Sequence, residues 1–360
     1  MSKITEDVMQ LIRFSFFYAS SIRRYEYYRK FRKRLCDPDC IGGFFKANSR
    51  ELFLQSVNRS GTSVRSIISD VESGRLDLMT IEDQDYPQKL RNIPDPPLLL
   101  YIRGDRSLLS EELSISVVGA RKTDEYGLDI TEKISSELAH NGFVVVSGLA
   151  YGVDVASHRA ALKATGKTVG VLAADNTYPS SNTEVFRKMC EKGAVVSEYP
   201  MGFYVRPDMF LVRNRLIAAL SKGTLVVRAS LKSGSLSTAR AAGEYDRDVF
   251  SVPGNDYENL SRGTNDLLKK GAVPVTCGED ILNYYGFEIN SSKKEAGVKM
   301  DFSDSEKEVL KVLSTEKMTA DDISLEMGRD IEEVNSILCV LELKSVLKRY
   351  PGNRFKRMDI

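Results

Sequence analysis

The feature that most constrains the fold is a regular alternation between about residues 113 and 285, where short valine-rich runs alternate with amphipathic stretches. The apolar runs occupy residues 115–118, 143–146, 168–173, 194–197, 224–227 and 249–252. Between them apolar positions recur at helical spacing, as at Ile130, Ile134 and Leu138. Apolar strands that alternate with helices are typical of a parallel sheet covered on both faces. The sequence therefore predicts a doubly wound, Rossmann-like α/β core.

The segment before the core has a different pattern. Residues 1–80 have apolar positions at helical spacing, which predicts a small helical N-terminal domain. The core domain is predicted over 81–289 and begins with a proline-rich lead-in. Four prolines between residues 87 and 97 argue against a helix there, and a short strand is predicted at 98–102.

The segment after the core predicts a second kind of unit. Residues 290–300 are polar and are predicted to be a linker. Residues 301–360 show three helical stretches and then a basic hairpin that turns at Pro351, Gly352 and Asn353. Three helices followed by a hairpin outline a winged-helix-like domain.

Composition excludes few classes of protein. Lys and Arg total 51 against 50 Asp and Glu, so total charge does not indicate a polyanionic partner. The five cysteines include no C-x-x-C pair, which argues against a metal site and fits reduced thiols in a cytosol. No stretch approaches the length of about 20 apolar residues that a membrane span needs. We expect a cytoplasmic protein without a membrane partner.

The candidate site residues are small, polar, cationic or aromatic, and they cluster in four segments. They are Gly119 and Arg121; Ser147, Gly148 and Gly152; Phe210, Arg213, Asn214 and Arg215; and Lys232, Ser233, Gly234, Ser235 and Thr238. Ligands of an open parallel sheet bind beyond the carboxyl ends of its strands. Glycine turns at helix starts expose backbone N–H groups to anions, and guanidinium groups bind phosphates in a bidentate manner. Together the four segments suit a ligand with several phosphates.

A dinucleotide cofactor or a catalytic centre fits these segments less well. The first loop lacks G-x-G-x-x-G spacing and no Walker A motif occurs, so we expect no cofactor. The chain has only two histidines. His158 lies four residues after Asp154, so the two share a helix face and are expected to pair, in a structural or ligand-orienting role or in acid–base catalysis. Ser147 and the Ser233 and Ser235 pair lack a recognisable base, and we predict no catalytic residue.

Single-stranded DNA accounts for the candidate residues best. Arg121, Arg213, Arg215 and Lys232 are predicted to neutralise successive phosphates. Phe210 offers a face for a base, unless it belongs to the core. Stacking on an aromatic side chain requires unstacked bases, which favours a single strand over a duplex. The basic and aromatic run at 23–34 either assists binding or forms a solvated helix face.

The core resembles the DNA-processing protein A family (DprA/Smf) over about residues 85–285. The motifs that carry the resemblance include V-G-A-R, S-G-L-A-Y-G-V-D, Y-P-S-S-N, F-L-V-R-N-R, K-S-G-S-L-S-T-A and G-T-N-D-L-L-K-K-G-A. The resemblance implies a core that binds single-stranded DNA, forms a homodimer and helps load RecA recombinase during DNA uptake in natural transformation. It also implies that the N-terminal helices are similar to a sterile-alpha-motif domain and that the C-terminal domain is a winged helix.

The sequence departs from that family at several positions. Two glycines are usual after the third core strand, whereas Ala173 and Ala174 occupy this stretch. Arg228 replaces a common acidic residue and either extends the cationic surface or points to solvent.

The sequence alone leaves two other functions open. The first is a phosphoribohydrolase-like enzyme or nucleotide sensor on the same fold, although residues 232–240 lack the glutamate of the P-G-G-x-G-T-x-x-E loop of those enzymes. The second is a duplex-binding regulator dominated by the winged helix. Glu332, Glu333 and Glu342 in its third helix argue against major-groove binding.

Overall fold

A computed structural model describes residues 4–45, 48–175, 177–200, 202–287, 302–313, 317–344, 346–350 and 352–357. The chain forms two compact units, Met1–Phe287 and Glu288–Ile360. The N-terminal helices thus belong to the same unit as the sheet, and the boundary near residue 80 stays a prediction. The predicted linker at 290–300 lies outside the described residues. No helix in the described part of the chain is long and apolar enough to cross a membrane.

In the part of the chain that the structure describes, five α-helices precede the sheet. They are α1 (Glu6–Ser15), α2 (Ser21–Phe31), α3 (Pro38–Phe44), α4 (Ser49–Arg59) and α5 (Gly61–Glu72). Thr5 caps α1 through its side chain, which accepts a hydrogen bond from the Val8 N–H, and Asp37 caps α3 in the same way. Their buried aromatic residues, among them Phe14 and Tyr27, join the hydrophobic core beneath the sheet.

The lead-in forms an edge of the sheet. It consists of β1 (Asp77–Thr80), the single helical turn α6 (Gln88–Arg91) and β2 (Leu99–Gly104). The turn α6 corrects our expectation that prolines exclude a helix here. Pro87 directly precedes this turn and so removes no hydrogen bond that the turn needs.

The core alternates strands and helices as predicted. Its elements are β3 (Ser114–Val118), α7 (Glu125–His140), β4 (Val144–Ser147), α8 (Val153–Ala164), β5 (Thr168–Leu172), α9 (Thr183–Lys192), β6 (Ala194–Ser197), α10 (Pro207–Ala219), β7 (Gly223–Val226), α11 (Ser235–Glu244), β8 (Asp248–Ser251), α12 (Asn259–Lys269), β9 (Val273–Pro274) and α13 (Gly278–Tyr284). Every residue of the strands from β3 to β7 is buried, which explains their continuous apolar pattern.

The sheet contains nine strands in the order β1-β2-β6-β5-β4-β3-β7-β8-β9. The strands from β3 to β9 pair in parallel, and β2 pairs with β6, and β1 with β2, in antiparallel fashion. The doubly wound parallel core is therefore confirmed, with an antiparallel edge added. The chain runs outward from β3 in one direction through β6 and then returns to place β7 on the other side of β3. The strand order reverses at β3, and such reversals open a crevice at the carboxyl ends of the strands.

The second unit has its own core. Its elements are α14 (Asp304–Val312), β10 (Met318–Thr319), α15 (Ala320–Met327), α16 (Ile331–Leu343), β11 (Leu347–Tyr350) and β12 (Arg354–Arg357). The strands form a sheet in the order β10-β12-β11. Leu338 and Phe355 are buried in the cluster that joins helices and hairpin. The predicted winged-helix architecture is confirmed.

Candidate functional site

A cavity of about 170 Å³ opens at the point where the strand order reverses. Its walls come from the segments after β3 and β4, from α10 and from the start of α11. Fourteen residues line it: Val118, Gly119, Arg121, Ala150, Asp154, Phe210, Leu211, Arg213, Asn214, Ile217, Ser233, Gly234, Ser235 and Thr238. All four predicted segments lie near this crevice, although not all of their members face the cavity.

The Arg121 guanidinium lies over the ring of Phe210 at the wall of the cavity. The Arg121 Cζ atom lies 5.5 Å from the centroid of the Phe210 ring. Arg121 is exposed, and it forms no salt bridge with any residue that the structure describes. Phe210 is half-buried and also packs against a small cluster that includes Tyr199 and Met209. Phe210 can therefore both belong to the core and offer a face to a base. One part of its ring packs inward, and the side chain also lines the cavity.

The start of α11 supplies hydroxyl and backbone donors. The Ser233 and Ser235 hydroxyl groups lie 2.7 Å apart; Ser235 is the first residue of the helix, and Ser233 precedes it by two residues. The N-terminus of a helix carries a partial positive charge and unsatisfied N–H groups, which favour an anion. The Asn214 amide donates to the Gly234 carbonyl oxygen at 3.2 Å and to Ser237 Oγ at 2.9 Å. Asn214 therefore holds this turn against α10.

Two of the predicted glycines are required because the backbone passes close to its neighbours. A Cβ atom on Gly119 would lie 2.6 Å from Val153 Cγ2. A Cβ atom on Gly148 would lie 2.7 Å from both Arg213 Nη2 and Asp154 Oδ2. Gly148 therefore makes room for a buried pair of opposite charges.

Arg213 lines the cavity but is largely committed to the protein. Its side chain is buried, and its Nη1 group donates to the Gly148 carbonyl oxygen at 2.8 Å and to the Val171 carbonyl oxygen. Its Nε group donates to Asn214 Oδ1 at 3.2 Å. Burial lowers the pKa of Arg213 to about 10, which leaves the guanidinium charged at neutral pH. Arg213 therefore fixes the wall of the cavity.

Asp154 is a cavity residue that the sequence did not assign to the ligand site. It lies in the first turn of α8 and is buried. Burial raises the pKa of its carboxyl group, while Arg213 and the N–H groups of Ala150 and Gly148 oppose that shift. Its position in the sequence, directly after the glycine-rich turn that follows β4, could have indicated that Asp154 lines the cavity.

His158 does not pair with Asp154 as we predicted. Its Nδ1 atom lies 2.7 Å from Thr168 Oγ1, and that hydroxyl group donates to the Val145 carbonyl oxygen. The hydroxyl proton is thus committed, so Nδ1 carries a hydrogen and donates to Thr168. Burial, together with the nearby Arg213 charge, lowers the pKa of His158 to about 3. The imidazole is a neutral interior group at physiological pH.

Ser147 and Arg215 require correction, because both point into the protein. The Ser147 hydroxyl is fully buried and donates to the Val117 carbonyl oxygen at 2.6 Å. Arg215 lies two residues after Arg213 on α10, so its side chain leaves the helix on a different face. Its guanidinium contacts Glu198 at 2.6 Å and Asp95 at 3.1 Å. Neither side chain lines the cavity.

Lys232 and Gly152 lie beside the cavity. Lys232 is exposed in the turn that leads to Ser233. Gly152 has a φ of 72°, a left-handed conformation that favours glycine, and it borders a neighbouring groove.

The basic run at 23–34 is partly structural. Arg24 is buried and contacts Glu198 at 3.2 Å, so Glu198 binds two arginines from different helices. Tyr27 and Tyr28 in the same run are also buried. Tyr27 packs α2 against the neighbouring N-terminal helices, whereas Arg29, Lys30 and other cations of the run remain exposed.

Arg228 neither extends the cationic surface nor points to solvent, which corrects both of our interpretations. It is buried, and its guanidinium binds Asp124, Glu258 at 2.6 Å and Ser261 at 2.5 Å. Because Asp124 also caps α7 by accepting from the Gly127 N–H, Arg228 anchors the loop that carries Arg121.

The segment after β5, where the family usually has two glycines, is packed into the protein interior. Ala173 and Ala174 are buried beside Tyr199 and Met209. Asp175 binds Arg103 on the antiparallel strand β2 at 2.7 Å. Within the described residues, no group of three or more His, Cys, Asp or Glu side chains is arranged to hold a metal ion.

Comparison with known proteins identifies the family. The model of DNA recombination-mediator protein A matches residues 77–286, and that of the DprA winged helix domain matches residues 294–353. DNA processing protein DprA of Bacillus subtilis is 38% identical over 209 residues, which are 58% of this chain and 70% of the relative.

Two solved structures are similar to the chain. DNA processing protein A from Streptococcus pneumoniae superimposes with a TM-score of 0.66 at 33% identity, over 80% of this chain and 99% of that chain. The protein from Helicobacter pylori, reported for its unique single-stranded DNA binding mode, gives a TM-score of 0.53 at 36% identity, over 58% of this chain and 95% of that chain. The chain belongs to the DNA recombination-mediator protein A family.

Proposed function

We propose that the chain binds single-stranded DNA in the cavity at the point where the strand order reverses. The observation that carries this proposal is the juxtaposition of an exposed guanidinium, an accessible aromatic ring and a helix N-terminus in one cavity. A nucleotide whose base stacks on Phe210 has its phosphate within reach of Arg121 and of the first turn of α11. The single-stranded DNA binding of the Helicobacter pylori relative supports the same assignment.

The geometry favours single strands over duplex for a physical reason. Phe210 lies in a concave site, and only an unstacked base is free to enter it. In a duplex, both faces of each base are already occupied by neighbouring bases. The site residues that we retain for the ligand are Gly119, Arg121, Phe210, Ser233, Gly234, Ser235 and Thr238, with Lys232 beside them and with Arg213, Asn214, Gly148 and Gly152 shaping the wall.

The proposal extends to the cellular role. The relatives in Bacillus subtilis and Streptococcus pneumoniae are DNA processing proteins, which supports a role in DNA processing. Within that role, we propose that the chain acts in the cytoplasm as a homodimer and helps load RecA recombinase on incoming single strands during transformation. Sedimentation with and without RecA tests the last two parts.

The central test is a competition experiment. Labelled single-stranded oligo-dT is bound to the protein and challenged with unlabelled single strand, duplex, single-stranded RNA and free nucleotides. Preferential displacement by single-stranded DNA is expected. Phe210→Ala should weaken binding without changing the salt dependence, because stacking neutralises no phosphate. Equal displacement by duplex, together with unchanged binding by Phe210→Ala, contradicts the proposal.

Asp154 supports a second candidate, a phosphoribohydrolase-like activity or nucleotide sensing in the same cavity. A buried carboxyl group with a raised pKa in a cleft is a candidate proton-transfer group. Its position beside the buried Arg213 favours a structural role, since both side chains lie close to Gly148 and the Arg213 charge opposes the rise in the pKa of Asp154. Incubation with nucleoside monophosphates tests the enzyme, and release of free base that is lost in Asp154→Asn would establish it.

A further inference from the structure

A second concave surface lies on the other side of Arg121. This groove has a volume of about 640 Å³. It runs between α7 and α8 and is lined by Arg121, Lys122, Thr123, Leu128, Glu132, Tyr151, Gly152, Val155, Ala156 and Arg159. Arg121 also lines the first cavity, so one guanidinium forms the boundary between the two. We propose that the groove holds the nucleotides that follow the one in the first cavity, with Tyr151 as a second stacking platform; this inference rests on the proposed function.

The floor of the groove follows from the periodicity of the two helices. Val155, Ala156 and Arg159 lie on one face of α8, and Leu128 and Glu132 lie one turn apart on α7. Val155 and Ala156 are buried. The apolar floor suits a sugar or a base, which have little charge.

The rim of the groove is cationic. Lys122 and Arg159 are exposed, and neither forms a salt bridge with a described residue. Arg159 contributes to the low pKa of Glu184, whose main partner is Lys188 on the same helix, so its charge is only partly used within the protein. Glu132 is the acidic side chain in the lining, and the cations Arg121, Lys122 and Arg159 outnumber it. The electrostatic balance of the groove therefore favours phosphates.

Tyr151 is the feature that points to a base. Its side chain is 52% exposed at the rim, in the loop between β4 and α8. Leaving a large aromatic ring in water at the entrance of a cationic groove has a cost that base stacking recovers. The geometry gives an alternation along the surface, with an aromatic ring in each concavity and Arg121 between them.

A DNA strand is chosen as the occupant because the two concavities share Arg121 in their linings. A separate ligand in the groove would compete with the strand for that guanidinium. A DNA strand that passes over Arg121 places one phosphate at this guanidinium. Its next phosphate then lies near Lys122, which follows Arg121 in the protein sequence.

A length series distinguishes this inference from the proposed function. Wild type, Tyr151→Ala, Tyr151→Phe and Phe210→Ala are titrated with a short oligo-dT that fills only the first cavity and with longer oligo-dT. Tyr257→Ala is the matched control, because Tyr257 is also exposed and lies outside both concavities. Tyr151→Ala should bind the longer strand about tenfold more weakly and the short strand as wild type does. Tyr151→Phe should bind both strands as wild type does, because the ring is retained.

The phosphate contacts have their own readout. Lys122→Ala and Arg159→Ala should each lower the slope of log K against log salt by about 0.7, and only for the longer strand. Lys269→Ala, which removes an exposed lysine on α12, should leave that slope unchanged.

The outcomes separate the two ideas. If Tyr151→Ala binds the longer strand as wild type does while Phe210→Ala binds weakly, the groove is not part of the path and the first cavity stands. If Phe210→Ala and Arg121→Ala also leave binding unchanged, the proposed function itself fails. Photocrosslinking with an oligonucleotide that carries 5-iodouracil gives an independent measurement, and an adduct on Tyr151 is expected in the wild-type protein. Crosslinks confined to α10 and α11 contradict the inference.

Discussion

At the scale of single residues, the arginines of the site divide into exposed and buried groups with different tasks. Arg121 is exposed and lies over the Phe210 ring, whereas Arg213 is buried and bonded to backbone carbonyl oxygens. Arg215 is buried with Glu198 and Asp95 and contributes to the interior. The division follows from the high cost of leaving a buried charge without partners.

The exposed cations should control the salt dependence of binding. Arg121→Ala and Lys232→Ala are each expected to weaken oligo-dT binding and to lower the salt slope by about 0.7–1, because each loses one phosphate contact. Fluorescence anisotropy over a range of salt concentrations measures both quantities. Wild-type affinity and slope in both variants would remove these two residues from the site.

Arg215 should show the opposite behaviour. Arg215→Ala leaves Glu198 and Asp95 buried with an excess of negative charge, and we expect a loss of about 3–5 kcal/mol in the free energy of unfolding. Urea denaturation measures this loss. Arg121→Ala is the control, since removal of an exposed side chain should change stability by no more than about 0.5 kcal/mol. A stable Arg215→Ala protein would contradict the structural assignment.

His158 should make the fold sensitive to acid. Its pKa is about 3 in the native state, so between the ordinary value of 6.5 and that value only the unfolded chain takes up the proton. The contribution of neutral His158 to the free energy of unfolding is therefore complete above pH 6.5 and is lost as the pH falls towards 3. The loss in the free energy of unfolding is about 2 kcal/mol between about pH 6.5 and pH 5. Chemical denaturation at several pH values measures it.

The matched variant is His158→Gln, which should lose less stability on acidification than wild type. Asp154 acts in the opposite direction, because burial raises the pKa of its carboxyl group, and this contribution is present in both proteins. His140→Gln, at an exposed position, should behave as wild type does. Equal acid sensitivity of wild type and His158→Gln would refute the assignment.

At the scale of elements, the site depends on how loops are tied to the helices beside them. Arg228 binds Asp124 and thereby fixes the loop between β3 and α7. Asn214 binds the turn before α11. Such ties hold the polar groups of these loops in place, and groups that are held in place in advance reduce the entropy that is lost when a ligand binds.

The loop after β4 allows a direct test of this positioning. In Gly148→Ala, the new methyl group would overlap Arg213 and Asp154, so we expect weaker oligo-dT binding and lower stability. Gly243→Ala is the control, because Gly243 lies in α11 with open space around it and alanine favours a helix by about 1 kcal/mol. Binding titrations measure the oligo-dT affinity of both variants, and urea denaturation measures their free energy of unfolding. Equal affinity and equal stability of the two variants would contradict the close packing at Gly148.

At the scale of the whole molecule, the two units have separate hydrophobic cores. The cavity and the adjoining groove belong entirely to the unit that ends at Phe287. We therefore expect Leu338→Ala, in the core of the winged helix, to lower the stability of that unit by about 2–5 kcal/mol and to leave oligo-dT binding unchanged. Thermal denaturation and anisotropy measure the two effects. A parallel loss of affinity would indicate that the winged helix contributes to binding.

The sequence alone determined the alternation of strands and helices, the doubly wound sheet and the segments that carry the site. These features follow from local rules, since buried parallel strands are continuously apolar and helices repeat their apolar positions. Gly119, Arg121 and the turn before α11 could be placed near one another because residues after parallel strands meet at one edge of the sheet.

Only the tertiary structure decided which polar side chains line the cavity. Arg213 and Arg215 are two residues apart and chemically identical, yet one lines the cavity and the other binds Glu198. Their partners are distant in sequence, and the acidic residues that neutralise Arg215 and Arg228 give no local signal. Burial and pairing of charge depend on contacts between remote segments, so these assignments required the folded chain.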